Sequence, residues 1–449
     1  MMNARRITVD FEKKSGKMKP LHALNTGPRR GGVTLVTDSS CEYLEIGVPA
    51  VRLHDAEYPY GKNQFVDIHC IFPDMTADPE LPESYNFAPT DAYIRAVREV
   101  GAEVLLRLGE STDLFPRPLF TRTPSDLEKY ASVCEHIMMH LNEGWADGAK
   151  LNIRRVEIFG GADDPRVFTG TQEEFFELYR VVACRLREHF PKLKIGGYGS
   201  SGFCAVNRLS STEQQKRAIP FMRDFLRYVT AEQTSAPLDF FTWYAYPASP
   251  EELLLHARYA RGVLDDFGLR RTASVICGYN TASYISGDVS ERPGYASELA
   301  SLITAMQKCD VESAFFCDPP SADSYGKSFI LGGCASANCP VYHTLFSFGE
   351  LYKLGTPVEC DGDMRGEVYS LAAKSEQTCA VMIVTRAYSG NIELRTSGTS
   401  GGVAKIRRVA SRDGLTSSVA SVSGELAVKG GAVTFRADKE AIYMLEFLR

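Results

Sequence analysis

Long apolar runs are missing from this sequence. No stretch approaches eighteen apolar residues, so no segment reads as a transmembrane helix. The first residues, MMNARRITVDF, contain no apolar h-region, which argues against a secretory signal peptide. Positive charge is not in excess: 50 lysines and arginines stand against 56 acids, a net charge of −6, and no basic run is present. That balance offers no electrostatic case for nucleic acid as a partner. A zinc-ligand set is missing too. Of the 12 cysteines the closest pair is Cys334 and Cys339, in CASANC, and His343 alone does not complete four ligands. Without a signal peptide the scattered cysteines read as reduced core thiols of a cytoplasmic protein. No metal, cofactor or membrane partner is expected, and the oligomeric state is not legible.

What is present is an ordinary globular composition over 449 residues, 44% hydrophobic and 24% charged. That length suits one large domain plus a smaller one. From about residue 18 to 355, short apolar runs alternate with amphipathic stretches. The candidate strands cover residues 20–25, 50–54, 103–109, 155–159, 193–197, 239–246, 273–279 and 312–318. The helices between them carry start and stop signals. Thr171 and Glu174 form a capping box, and Phe175, Phe176, Tyr179, Val182, Ala183 and Leu186 repeat at helical spacing. Ser249, Pro250 and Glu252 open another helix that Gly268 ends; Ser125 and Glu128 open a third that ends at Gly144. Tyr93, Ile94 and Val97 share a face before Gly101. Eight strand–helix units in series predict an α/β fold, a (β/α)8 TIM barrel over 18–355, with an open doubly wound sheet as the alternative. In a barrel, function sits at the C-terminal ends of the strands.

After about residue 356 short β-type runs (EVYSLAA, CAVMIVTRA, NIELRT, AKIRRVA, AVTFRA, IYMLEFL) alternate with Gly, Ser and Thr. Residues 356–449 are expected to form an accessory β-sandwich, to which RITVDF, within residues 1–17, adds a strand. Gly197, Gly199 and Gly202 match G-x-G-x-x-G by spacing. The polar stretch FCAVNRLSSTEQQKR after them is no helix start, so no dinucleotide site is expected.

With the strand ends placed, the chain resembles the (β/α)8 glycosidases of glycoside hydrolase family 39, the β-xylosidase family of clan A. The likeness spans nearly the whole chain. It is carried by MKPLHALNTGP at the first strand, VRLHD at the second and DFFTWYAYP at the sixth. FFELYRVVACRLREHFPKLKIGG is the most specific segment, with helix, Pro191 and strand in family order. The resemblance implies a retaining mechanism. A Glu of an Asn-Glu-Pro motif after strand four is acid/base, a Glu ending strand seven is nucleophile, and the two stand roughly 5–5.5 Å apart. Here Gly160-Gly161-Ala162 stands at the first motif, and ICGYN puts Gly278 at the second. Tyr244, in WYAY, stands where the family offers a supporting His, while Tyr279-Asn280 still fits the pattern. Glycine has no side chain with which to donate a proton or attack. No catalytic residue is therefore expected at positions 161 and 278.

Other strand-end residues are candidates for holding a ligand. His54 and Asp55 end the second strand, Glu110 the third and Asp318 the eighth. Trp243, Tyr244 and Tyr246 offer aromatic faces to a sugar ring, and Tyr279 and Asn280 follow the seventh strand. Asp163 and Asp164 read as a loop or helix cap near Thr169–Thr171. Residues 55–89, with Glu57, Tyr58 and Tyr60, read as a long loop walling the cleft. No pair among these acids matches the strand-four and strand-seven geometry. Three readings stay open: a degenerate glycosidase that binds a glycoside or oligosaccharide, an active hydrolase using non-standard carboxylates, and an interaction scaffold. Fold alone does not choose among them.

Overall fold

The structure, a computed structural model, describes residues 4–28, 38–53, 66–109, 123–282, 294–317, 339–411 and 419–449. Strand β1 (Arg5–Lys14) belongs to a second sheet. The next eight, β2 (Ala23–Leu24), β3 (Ala50–Leu53), β4 (Glu103–Leu108), β5 (Arg155–Ile158), β6 (Lys194–Ser200), β7 (Phe240–Ala245), β8 (Ala273–Tyr279) and β9 (Ser313–Phe316), form a closed parallel barrel in chain order. Ala23 pairs with Phe315, so the last strand returns to the first and the open-sheet alternative falls. Period-two alternation builds two apolar layers. Ala23, Leu105, Phe240, Val275 and Phe315 fill the barrel interior, whereas Val51, Leu106, Val156, Ile195, Phe241 and Ile276 face the helices.

The described helices are α1 (Ser40–Ile46), α2 (Ile68–Ile71), α3 (Ala88–Glu99), α4 (Leu127–Asn142), α5 (Gln172–His189), α6 (Glu213–Thr230), α7 (Pro250–Asp266), α8 (Tyr295–Gln307) and α9 (Pro340–Leu354). The Thr171–Glu174 capping box opens α5, and Ser249 caps α7 by accepting from the Glu252 N–H. At α4 the cap is Asp126, accepting from the Lys129 N–H, one residue beyond the expected Ser125. A carboxylate suits that place at least as well as a hydroxyl.

The second sheet has nine strands: β1 with β10 (Thr356–Asp361), β11 (Val368–Lys374), β12 (Thr378–Thr385), β13 (Gly390–Ser397), β14 (Ser400–Ser411), β15 (Val419–Ala427), β16 (Ala432–Ala437) and β17 (Ala441–Leu448). Their order is β15-β14-β17-β12-β11-β10-β1-β13-β16. The sandwich is thus one continuous sheet folded around its own core, which includes Ile7, Val9, Phe11, Val381, Leu394, Phe435 and Leu445. It is not wholly antiparallel: β1 runs parallel to β13, with Ile7 opposite Leu394. The outer face of β12 and β17 (Ala380, Met382, Val384, Ile442, Met444) joins the barrel's hydrophobic cluster. That face packs on α8 and α9.

Candidate functional site at the barrel mouth

Charged residues lie in the middle of apolar strands β3, β4 and β5. Arg52 and Glu157 are both fully buried, and Arg52 Nε donates to Glu157 Oε2 at 2.5 Å. Arg52 Nη1 also reaches the Tyr244 hydroxyl on β7 at 3.3 Å, with its Cζ 5.7 Å from the Tyr244 ring centre. Strands β3, β5 and β7 are not neighbours, so these contacts cross the lumen. A charge in such a place is tolerated only when paired. The pairing is incomplete: Arg52 Nη2, Glu157 Oε1 and both side-chain polar atoms of Asn25 have no hydrogen-bond partner among the described residues.

The two glycines at the expected catalytic positions are held in different ways. Gly161 has φ of +80°, and its N–H donates to the Tyr198 and Gly199 carbonyls at 2.8 and 2.9 Å. That left-handed conformation is one glycine adopts freely and a glutamate adopts at a cost. Gly278 follows an irregularity in β8, where the register skips Cys277 against β7. A Cβ at 278 would lie 2.5 Å from Tyr244 Cε1 and 3.0 Å from Asn25 Nδ2. The Tyr244 ring thus fills the space that a side chain at 278 would need. Gly160 is walled in similarly: its Cβ would stand 3.1 Å from Arg52 Nη2 and 3.2 Å from Arg107 Nη1.

The remaining described acids at this mouth are committed elsewhere. Asp163 is fully buried and accepts from Ser200 Oγ (3.0 Å), Ser201 Oγ (2.7 Å) and the Ser201 N–H (2.9 Å). Burial pushes its carboxyl up to about 6, against the pull of those hydrogen bonds. Asp164 is bound by Arg166 and Gln214. Both are structural, as expected, but they tie the β5 loop to the β6 loop and to α6 rather than capping near Thr169–Thr171. Cys277 is fully buried, and burial pushes its thiol well above the usual range despite Arg52 nearby. It is therefore no thiolate at neutral pH.

Of the sequence candidates, His54, Asp55, Glu110 and Asp318 lie outside the described residues, as do Glu57, Tyr58 and Tyr60. Tyr244 and Tyr246 are half-buried at the mouth, their rings nearly parallel (6°) with centroids 6.4 Å apart. Three candidates turn away from it. Trp243 is fully buried between strand and helices, its Nε1 donating to Ser274 Oγ at 2.9 Å and its ring beside Phe203. The alternation that aims Tyr244 inward aims Trp243 outward. Tyr279 is turned out by the skipped Cys277 and donates its hydroxyl to the Leu21 carbonyl at 2.8 Å. Asn280 is fully buried, donating to the Cys317 carbonyl and accepting from the Tyr295 hydroxyl at 2.6 Å. The last two pin strand ends.

The described part of the stretch 55–89 also departs from expectation. It contains α2, leaves the mouth where the Ile68 N–H donates to the Gly109 carbonyl, and runs down the flank. There Tyr85 and Phe87 stack with each other and pack on Trp145 and His140. Residues 66–89 are thus flank packing rather than a cleft wall. Gly202 also has a packing reason, since a Cβ there would meet the Tyr244 carbonyl at 2.3 Å; the next long helix, α6, begins only at Glu213. The candidate list missed Asn25, Arg52, Arg107 and Glu157. For the three charged residues the signal was available: a charge in the interior of an apolar strand (AVRLH, EVLLRLG, RVEIF) must find a buried partner.

No family model and no curated protein sequence matches the chain. Among solved structures it is similar to a glucosidase from Croceicoccus marinus, with a TM-score of 0.77 and 22% identity over 100% of this chain and 99% of that one. A family 39 β-xylosidase from Caulobacter crescentus aligns at a TM-score of 0.70 and 15% identity, over 99% of this chain and 100% of that one. A family 51 α-L-arabinofuranosidase from Thermotoga petrophila aligns at a TM-score of 0.65 and 13% identity, over 98% and 99%. At these identities the likeness establishes the fold, a glycosidase-type (β/α)8 barrel carrying a β-sandwich over its full length.

Proposed function

We propose that this chain is a degenerate glycosidase, a protein that binds a glycoside or oligosaccharide at the barrel mouth without hydrolysing it. One observation carries the reading. The position expected to hold the nucleophile is a glycine whose side-chain space is occupied by the Tyr244 ring, 2.5 Å from where a Cβ would stand. A retaining reaction needs two carboxyls facing the scissile bond. Glycine stands at both expected positions; of the nearby described acids, Glu157 is ion-paired to Arg52 through one oxygen, and Asp163 and Asp164 are hydrogen-bonded to their loop neighbours. The parallel faces of Tyr244 and Tyr246 support sugar binding, because the C–H faces of a pyranose are apolar and stack on aromatic rings. The eleven described cysteines are all free, which fits a reducing compartment.

The test pairs turnover with binding. The wild-type protein is incubated with aryl β-xylosides, arabinosides, galactosides and glucosides, and titrated calorimetrically with xylan and pectin oligosaccharides. Binding without turnover is expected. Hydrolysis abolished by Glu110→Gln would instead establish an active enzyme with a relocated carboxylate. Silence in both assays would favour a scaffold.

A further inference from the structure

We infer that Arg52, Glu157 and Asn25 hold the glycone of a neutral sugar, through hydroxyl groups that close the open side of the Arg52–Glu157 ion pair. This rests on the reading that the mouth binds a glycoside. A guanidinium meets a carboxylate best with Nε–H and Nη2–H side by side on the two oxygens. Here only half of that fork is made. Nε donates to Oε2 at 2.5 Å and Nη1 is turned to Tyr244, while Nη2 and Oε1, the atoms that would complete it, have no partner among the described residues. Both side chains are fully buried. Orphaned polar atoms at such depth are rare in folded proteins and mark a place for a bound molecule or water. A hydroxyl fits the gap because it accepts and donates at once, taking the Nη2 hydrogen and giving its own to Oε1.

A second, independent group points the same way. Asn25 is 2% exposed, and neither its Nδ2 nor its Oδ1 has a partner among the described residues. Its Nδ2 stands 3.0 Å from the Cβ position of Gly278, while Arg52 Nη2 stands 3.1 Å from that of Gly160. The unmet groups therefore flank both glycine motifs. They comprise two donors and two acceptors, the complement of neighbouring sugar hydroxyls. An anionic sugar does not match, because a carboxylate at Nη2 would face Glu157 Oε1 with like charge and bring it no proton. Half-buried Tyr244 lies between Arg52 and Gly278, its hydroxyl 3.3 Å from Arg52 Nη1.

The experiment is calorimetric titration of wild type, Asn25→Ala and Asn25→Ser with methyl β-xyloside, methyl β-glucoside and methyl β-glucuronide, alongside thermal melts. The Asn25 amide has no hydrogen bond to lose in the free protein, so both variants should keep or raise Tm. Asn25→Ala should bind the neutral glycosides about tenfold more weakly. Asn25→Ser, which retains a hydroxyl, should fall between. Unchanged affinity in both variants, or tighter binding of the glucuronide than of the glucoside, would overturn the inference and leave the sugar-binding reading standing. No binding of any glycoside to wild type would overturn both. Hydrolysis by wild type with a raised KM in Asn25→Ala would overturn only the non-hydrolytic reading.

Discussion

At position 278 a methyl group has nowhere to go. Its carbon would sit 2.5 Å from Tyr244 Cε1, well inside van der Waals contact. Glycine at 278 and tyrosine at 244 therefore depend on each other. Gly278→Ala should lower stability by about 1–3 kcal/mol, the usual cost of overpacking. In a Tyr244→Ala background most of that cost should vanish, because the ring that creates it is gone. Urea unfolding of the two single variants and the double variant measures the coupling; purely additive effects would contradict the contact. The same geometry bears on restoring catalysis, since Gly278→Glu needs Tyr244 replaced as well. The sequence showed both glycines as gaps, but not that one gap was already filled. Two side chains far apart in the chain meet there only because the barrel closes.

Among the elements, β1 has the least expected position. It reads as an N-terminal addition, yet it sits inside the sheet between β10 and β13, with Ile7, Val9 and Phe11 in the core. Its loss would leave two inner strands with unpaired backbone edges. Ile7→Ala is expected to cost about 2–5 kcal/mol, and deletion of residues 1–14 to send the protein into the insoluble fraction. A soluble deletion variant with an unchanged melt would refute that position. The eight barrel strands were legible because each is a short apolar run set between amphipathic stretches, of which α4, α5 and α7 open on a side-chain cap. The fate of Trp243 and Tyr279 was less legible. For Trp243, period-two alternation decides, but only once an anchor residue is known to face inward. For Tyr279, the skipped Cys277 changes the parity, and skipped residues leave no mark in composition.

Over the whole molecule, buried titratable groups set how stability responds to acid, and they pull in opposite directions. Burial lowers His22 to about 3 and His256 to about 4, so the unfolded chain takes up their protons first. Their contribution is present above about 6.5 and is lost as pH falls from there, down to about 4 for His256 and about 3 for His22. Asp163 acts with the opposite sign. Its folded carboxyl, near 6, holds a proton more tightly than the unfolded group at 3.8, so it destabilises the fold as pH rises from about 4 to 6. Asp163→Asn should remove that compensation and make the loss of stability on acidification steeper between pH 6 and 4. Melting temperatures taken across that interval check it; parallel curves for wild type and variant would show that Asp163 does not titrate there.

The sequence by itself determined the architecture: eight strand–helix units, a β-rich end, and glycines where two carboxylates were expected. These are local patterns, readable wherever spacing and side-chain type suffice. Tertiary structure decided which strand-end side chains share the lumen. It turned Trp243, Tyr279 and Asn280 into packing, set Tyr244 against Gly278, and brought Arg52, Glu157 and Asn25 to the same mouth with polar atoms unmet. Those relations depend on barrel closure and on one skipped residue in β8. Both arise between distant parts of the chain, which no single stretch of sequence records.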